Sequence, residues 1–296
     1  MRGRVAVVLC VVVALLGVER AASRTVVPSS PTTDRSLGSF RVECELSHQR
    51  KIDPITAPMG VGPHMHDFFG NTSVVASSTY ASMRAAASNC SVTSDRAGYW
   101  SPTLIAPDGD RIQPERAVFY YRNRPVDYGR TTTFPPDLRM VAGGMFPNAY
   151  WTCDGESDMG FSTRKRSIPN CGAGGKVKLH VFFPSCWDGV RLDSRNHRSH
   201  VAYGLDIEGR VAGTDPLRCP ASHPVKIPQL DFRVLYDVSD GREHRLSTGG
   251  VVPHADFWNT WVQADLRELV IECLGFVGES CGLAQDSVVP KHSDES

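Results

Sequence analysis

No apolar run in the sequence reaches the roughly 18–20 residues that a membrane-spanning helix needs; Val5 to Val18, the longest, has 14. Excess charge is lacking too, with 32 basic side chains against 32 acidic ones. Without a positive field there is little to draw in a phosphate backbone, so nucleic acid is not an expected partner. No CxxC pair occurs, which removes thioredoxin-like redox sites and thiolate-zinc sites. Collagen-like and coiled-coil architectures fall away because there is neither a glycine period nor a sustained heptad. With 41% hydrophobic and 22% charged residues, the composition is that of an ordinary globular protein.

The N-terminal run reads as a secretory signal over residues 1–22. Arg2 and Arg4 precede it, and Ala21, Ala22 and Ser23 offer small residues for cleavage. Cleavage there removes three Arg and one Glu, for a formal charge of −2, together with Cys10 of the nine cysteines. The remaining cysteines are Cys44, Cys90, Cys153, Cys171, Cys186, Cys219, Cys273 and Cys281. An even number in an exported chain reads as a disulfide framework. Its pairing is open, with Cys153–Cys171 and Cys273–Cys281 the nearest local choices. Residues 23–38 are rich in Ser, Thr and Pro and read as a flexible linker. A single domain is expected over 39–282 and a disordered tail over 283–296.

Within the domain, short runs rich in Val, Tyr, Phe and Thr lie between Gly, Pro, Asn and Asp, which predicts strands joined by turns. Examples are Ala117 to Tyr121, Val177 to Phe183, Ser199 to Tyr203 and Asp231 to Tyr236. Val177, Leu179 and Val181 fall on one face of their strand, with Lys178 and His180 on the other. Two stretches read as helical. One is Thr79 to Ser88. The other is Asp256 to Cys273, with Asp256 as N-cap and Trp261, Leu266, Leu269, Val270 and Cys273 on one stripe. The expected fold is mainly β: a disulfide-stapled β-sandwich or jelly-roll-like single domain with one or two short helices.

Histidine carries the chemistry. His64 and His66 form an HxH in Gly62 to Asp67, and on an extended segment both rings share a face, able to grip one metal ion or one polar ligand. His200 follows Trp187, Asp188 and Asp193, with either carboxylate able to support it in proton transfer. His254 stands just ahead of the second helical stretch, with Trp258 and Asn259 close behind. Each group has a plainer reading as a hydrogen-bonded structural cluster. The GxSxG pattern at Gly278 to Gly282 lacks the following helix that a nucleophile elbow requires, and its Cys281 belongs to the disulfide set.

The strings HMHDFFGN (64–71), AGYWSPTL (97–104), PPDLRMVAG (135–143), FPSCWDG (183–189), DSRNHRSHVAY (193–203), CPASHPVKIPQL (219–230) and PHADFWNTW (253–261) resemble the secreted domain-of-unknown-function family nineteen-ninety-six of actinobacteria and filamentous fungi. The resemblance covers nearly all of Phe40 to Cys273. In fungal members the first motif reads HxHxxxG, which His64, His66 and Gly70 keep. The last reads HGDFxNGW, whose two glycines are replaced here by Ala255 and Thr260. The resemblance implies an exported, disulfide-bonded single domain, found beside carbohydrate-binding modules in fungal forms. It implies no activity.

The function expected is action on extracellular polysaccharide or another wall polymer, as a hydrolase or lyase. Asp67, Asp188, Asp193, His200 and Asp256 are the acid, base and proton-handling candidates. Trp100, Trp187, Trp258 and Asn259 would contact substrate, with Tyr99 and Trp151 as further exposed-type aromatics. His64, His66 and His254 would hold one divalent metal ion, in a pocket where the chain around 64, 200 and 254 converges. The alternative is a non-catalytic glycan-binding module with a structural His/Asp cluster. Copper chemistry at an N-terminal histidine does not fit a mature chain that starts at Ser23. The protein is expected to be extracellular, to act as a monomer, and to be free of membrane once the signal is cut.

Overall fold

The computed structural model describes residues 38–286, apart from 126–129, 158–159, 213–215 and 275–279. The signal sequence, all but the end of the linker and most of the tail lie outside the described residues. The strands of the two main sheets are, in chain order, β1 (Ser39–Cys44), β2 (Leu46–Arg50), β3 (His66–Gly70), β4 (Gly98–Pro102), β5 (Arg116–Arg122), β6 (Arg139–Gly143), β7 (Ala149–Cys153), β8 (Val177–Phe182), β9 (Gln229–Tyr236), β10 (His254–Trp258) and β11 (Ser280–Leu283). One sheet has the order β11-β1-β5-β9-β8-β7, with only β1 and β11 parallel. The other runs β2-β3-β4-β10-β6 and is antiparallel throughout. Two-residue strands form two further three-stranded sheets.

Alternation along each strand makes the two large sheets a sandwich. Phe119 of β5 and Phe232 of β9 point inward from the first sheet. Phe69 of β3, Tyr99 of β4 and Phe257 of β10 meet them from the second, all in one buried cluster. The Tyr99 ring stacks on Phe119 with centroids 3.8 Å apart, and Phe69 lies 6.2 Å from Phe232. The Tyr99 hydroxyl donates to Asp95 at 2.7 Å, and Trp261 Nε1 donates to the Tyr121 hydroxyl at 2.9 Å, so the buried polar tips of these rings are satisfied.

The second sheet is covered on its other face as well. Phe68, Trp100, Val141 and Trp258 pack there beneath Ile55, Val74 and Met83. The last of these comes from α1 (Tyr80–Arg84), closed by a Thr79/Ser82 capping box. The expected aromatic platform is overturned: Trp100 (0% exposed) and Trp258 (1%) lie under this second layer, and Tyr99 and Trp151, both 0% exposed, lie in the main core. Each is core, not a surface for stacking sugar rings.

The two helical expectations hold only in part. Of Thr79 to Ser88, five residues are helical. Of Asp256 to Cys273, the helix α2 (Gln263–Cys273) takes the C-terminal portion, and Val262 rather than Asp256 is its N-cap. Ahead of it Ala255 and Phe257 alternate with His254, Asp256 and Trp258, the two-residue period of a strand. The turn Asn259 to Val262 separates the two periods.

Four disulfides join Cys44 to Cys90, Cys153 to Cys171, Cys186 to Cys219 and Cys273 to Cys281, among them both local pairs expected from spacing. They fit an oxidising compartment. No helix among the described residues is long and apolar enough to cross a membrane.

Candidate metal centre

Strand parity places His66 on the outer face of the second sheet, together with Phe68. His254 and Asp256 lie on the same face of β10. Between them runs β4, where Pro102 pairs with His66 and Trp100 pairs with Asp256. The same register carries His254 to the level of Pro102. Two strand spacings separate β3 from β10, about 9–10 Å, and the rings of His66 and His254 lean over Pro102 until their centroids are 6.0 Å apart. His64 joins from the entry to β3. The carbonyl of Met65 accepts from Thr103 N at 3.1 Å, so the chain is already extended there and both imidazoles of the HxH fall on one face.

The geometry of the ring nitrogens is specific. His64 Nε2 lies 3.2 Å from His254 Nε2. Two imidazole nitrogens bound to one tetrahedral zinc are about 3.3 Å apart, given Zn–N distances near 2.0–2.1 Å. His66 Nδ1 donates to the carbonyl of Ile52 at 2.8 Å, which leaves its Nε2 as the lone-pair nitrogen. That Nε2 is buried without a hydrogen-bond partner. Asp256 is fully buried, and neither of its carboxylate oxygens has a partner; its Oδ2 is 4.0 Å from His254 Nε2. Asp53, on the loop beside Ile52, accepts from Ile55 N and Thr56 N, both at 3.0 Å, and from the Thr56 hydroxyl. Donor atoms of His64, His66 and His254 all lie within 4.8 Å of one another, as do those of Asp53, His66 and Asp256. His66 is common to both sets.

Burial decides the charge state. It lowers His66 to about 3, helped by the neighbouring His64 and opposed by the bond to Ile52. His254 is also lowered to about 3, by burial and then by His66 and His64. Burial lowers His64 and pushes the Asp256 carboxyl well above its ordinary range, with Asp53 adding to the latter. The cluster therefore presents neutral imidazoles, with a free lone pair at His66 Nε2 and one shared hydrogen bond between the Nε2 atoms of His64 and His254, beside a buried carboxyl whose oxygens have no hydrogen-bond partner. A buried polar atom left unpaired costs about 1–3 kcal/mol. Here such atoms concentrate at one point, where a single divalent cation would satisfy them together. A second grouping, Cys44, Cys90 and Asp95, offers no thiolate because its cysteines form a disulfide.

The backbone around His254 is fitted to it. Gly143 pairs with His254 across β6 and β10 and has a φ of +85°. A Cβ there would stand 2.7 Å from the Pro253 carbonyl oxygen and 2.8 Å from His254 Cα. Gly144 shares the left-handed conformation (φ +81°) but meets nothing within 4 Å. Gly143→Ala is thus expected to lose about 1–3 kcal/mol more stability in thermal unfolding than Gly144→Ala, and to weaken metal binding. Equal losses in the two variants would show that β10 does not need the close approach.

The other candidates go elsewhere. Convergence holds for 64 and 254 but not for 200, and the expected three-way pocket is corrected on that point. His200 Nε2 donates to the Arg139 carbonyl at 2.6 Å, and its Nδ1 pairs with the Ser194 hydroxyl at 3.0 Å. Arg139 lies four residues along β6 from Gly143, about 13 Å away. The loop bearing His200 folds on its own polar groups. Asp188 accepts from Val190 N and Arg191 N and pairs with the Arg191 guanidinium, and Asp193 receives His197 Nδ1 at 2.9 Å. Trp187 Nε1 donates to the Arg191 carbonyl. Asn259, fully buried, donates to the carbonyls of Phe134 and Pro135 as a turn anchor. Asp67 faces the sandwich interior, bonded to Thr103 and Gln49 and pushed by burial up to about 7. Asp53 was not among the sequence candidates. Its only signal is an Asp-Pro step with Thr three residues on, which reads as an Asx-type turn.

The sequence model of a family described as Domain of unknown function (DUF1996) matches residues 53–261. That span contains Asp53, His64, His66, His254 and Asp256. No curated protein matches and no solved structure matches.

Proposed function

We propose a function for this chain, which belongs to the DUF1996 family, from the cluster on its second sheet: it is an exported enzyme that cleaves an extracellular polysaccharide or wall polymer with one divalent transition-metal ion. His64, His66 and His254 would supply the imidazoles, and Asp256 and Asp53 the carboxylates. The observation that carries this reading is the fully buried Asp256, unpartnered at both oxygens, facing an equally unpartnered His66 Nε2. Three imidazoles with a carboxylate suit zinc or a neighbouring first-row ion. When bound, such an ion polarises substrate oxygens and acidifies bound water. His66 and Asp256 are buried anchors, while His64 and His254 are partly exposed, which gives a substrate access to one side. Four disulfides and the apolar run Val5 to Val18 support export. Burial of Trp100, Trp151 and Trp258 removes the stacking surface from this reading and from the alternative of a non-catalytic glycan-binding module alike, leaving Trp187 partly exposed; what favours the enzyme is the unpartnered donor cluster.

The test is elemental analysis of chain purified without chelator, followed by zinc titration. One equivalent per chain is expected, with a gain of about 3 kcal/mol in unfolding free energy at roughly a hundred times Kd. Metal-loaded protein should release new reducing ends or unsaturated products from wall glycans, and chelated protein should not. Failure to retain zinc, copper or manganese overturns the reading, as does loaded protein that releases nothing.

A further inference from the structure

We infer that the substrate presents an anionic group, a carboxylate or a phosphate, to Lys51 and Arg198, which flank the imidazole cluster from opposite sides. The inference rests on the metal-dependent reading above and names its substrate class.

Lys51 precedes Ile52, whose carbonyl orients His66, and Asp53. Its own carbonyl accepts from Gly62 N at 2.9 Å. A Cβ on Gly62 would stand 2.7 Å from the Ile52 carbonyl carbon, so the loop closes this tightly only with glycine there. The closure fixes the backbone of Lys51 against the segment that leads to His64, and its charge favours the neutral form of that imidazole. On the other side His197 is tied to β6 by its carbonyl, which accepts from Val141 N at 3.2 Å. The next residue, Arg198, sets its Nη1 3.5 Å from the carbonyl of Gly143, the cross-strand partner of His254. Its guanidinium acts on both His254 and Asp256.

Lys51 and Arg198 are exposed, and among the described residues neither has a carboxylate within ion-pair distance. Arg139, Arg191, Arg210 and Arg242 each pair with an aspartate, whereas Lys51 and Arg198 share their lack of an ion pair among the described residues with other exposed cations such as Arg195 and Arg245 and are set apart by their place beside the cluster. Two cations placed beside a cluster suited to a metal ion oppose metal binding by like-charge repulsion. Each favours the neutral form of the imidazole beside it, Lys51 at His64 and Arg198 at His254, but that leaves their exposed charged ends without a counter-charge. An arriving anion makes sense of their position, since it would meet the ion and both side chains at once, and a guanidinium fork suits carboxylate and phosphate equally well.

The experiment uses the full chain loaded with zinc and three probes by calorimetry: an oligogalacturonate, a glycerol-phosphate oligomer and a neutral cello-oligosaccharide. Binding of one anionic probe is expected, and that arm identifies carboxylate or phosphate. It should weaken at least ten-fold in Arg198→Ala and in Lys51→Ala and weaken with added salt, while Arg198→Lys recovers part of the loss. Both alanine positions are exposed, and zinc content by elemental analysis should remain one per chain. A zinc-loaded chain that binds neutral and anionic probes alike, or variants that bind as the parent does, overturns this inference alone. A chain that retains no zinc overturns the metal reading and this inference with it.

Discussion

Replacing His66 with alanine is expected to reduce zinc affinity by about a hundred-fold or more, roughly 3 kcal/mol, and to abolish metal-dependent cleavage. His66 belongs to both groups of converging donors, and its tautomer is set by the Ile52 carbonyl. Because His66 is buried, His64→Ala, at a partly exposed position, serves as a second variant that leaves the packing alone. His200→Ala is the control: it removes a buried imidazole that bonds Arg139 and Ser194, and zinc affinity should stay within two- to three-fold of the parent. Zinc titration with a competing chelator measures all three. Equal losses in the three variants would mean that general destabilisation, and not ligation, is being read.

Asp256 sharpens the same test. Were this carboxyl a structural hydrogen-bonding group, substitution would destabilise the chain. It has no hydrogen-bond partner, so Asp256→Leu is expected to leave metal-free stability unchanged or raised by about 1–3 kcal/mol, while lowering zinc affinity as His66→Ala does. A variant both more stable and unable to bind metal is the signature of a group kept for function at a cost to the fold. A clear loss of metal-free stability would count against the centre.

How far the residues themselves disclose this arrangement depends on the range of the interaction. VKLHVFF is legible because a two-residue period is local: Val177, Leu179 and Val181 do face the core. The HxH is legible for the same reason. His254 and Asp256 sit in a strand whose five residues run directly into a turn and then a helix, and the stronger 3.6-residue stripe of Leu266, Leu269 and Val270 masks the shorter period. The burial of Trp100 and Trp258 is not legible at all, since Ile55, Val74 and Met83, which cover them, come from a distant segment without a periodic pattern of its own. Asp53 is hidden likewise: its turn chemistry is local, whereas its nearness to Asp256 depends on how that segment lies across the sheet. The same limit explains His200, whose motif neighbours tie it to β6 far from the other imidazoles.

The largest effect on stability is expected on the opposite sheet, at Asp231. Its fully buried carboxylate accepts from Arg233 Nε at 3.0 Å and Arg122 Nη2 at 3.2 Å. Both guanidiniums lie over the Tyr120 ring, 4.1 and 4.9 Å from its centroid. Burial alone would raise this carboxyl, but Arg233 and then Arg122 outweigh it and hold the group at about 2. Asp231→Asn keeps the shape and removes the buried negative charge that Arg122 and Arg233 share. The expected loss is about 3–5 kcal/mol in urea unfolding at neutral pH. The sign of the pH dependence follows from the lowered value: the unfolded chain binds this proton near pH 4 and the folded chain only near 2. The contribution of Asp231 is therefore complete above about pH 4 and is lost as the pH falls toward 2. Asp231→Asn should accordingly flatten the acid limb between those values, and the gap between variant and parent should narrow with acid. Replacing Arg122, Asp231 and Arg233 together by apolar residues of similar volume should recover most of the loss, since no buried charge is then left unpaired. Zinc binding on the other sheet should be unaffected. A loss below about 1 kcal/mol for Asp231→Asn would show that the guanidiniums find water or other partners, and that the carboxylate is not what holds this face of the sheet.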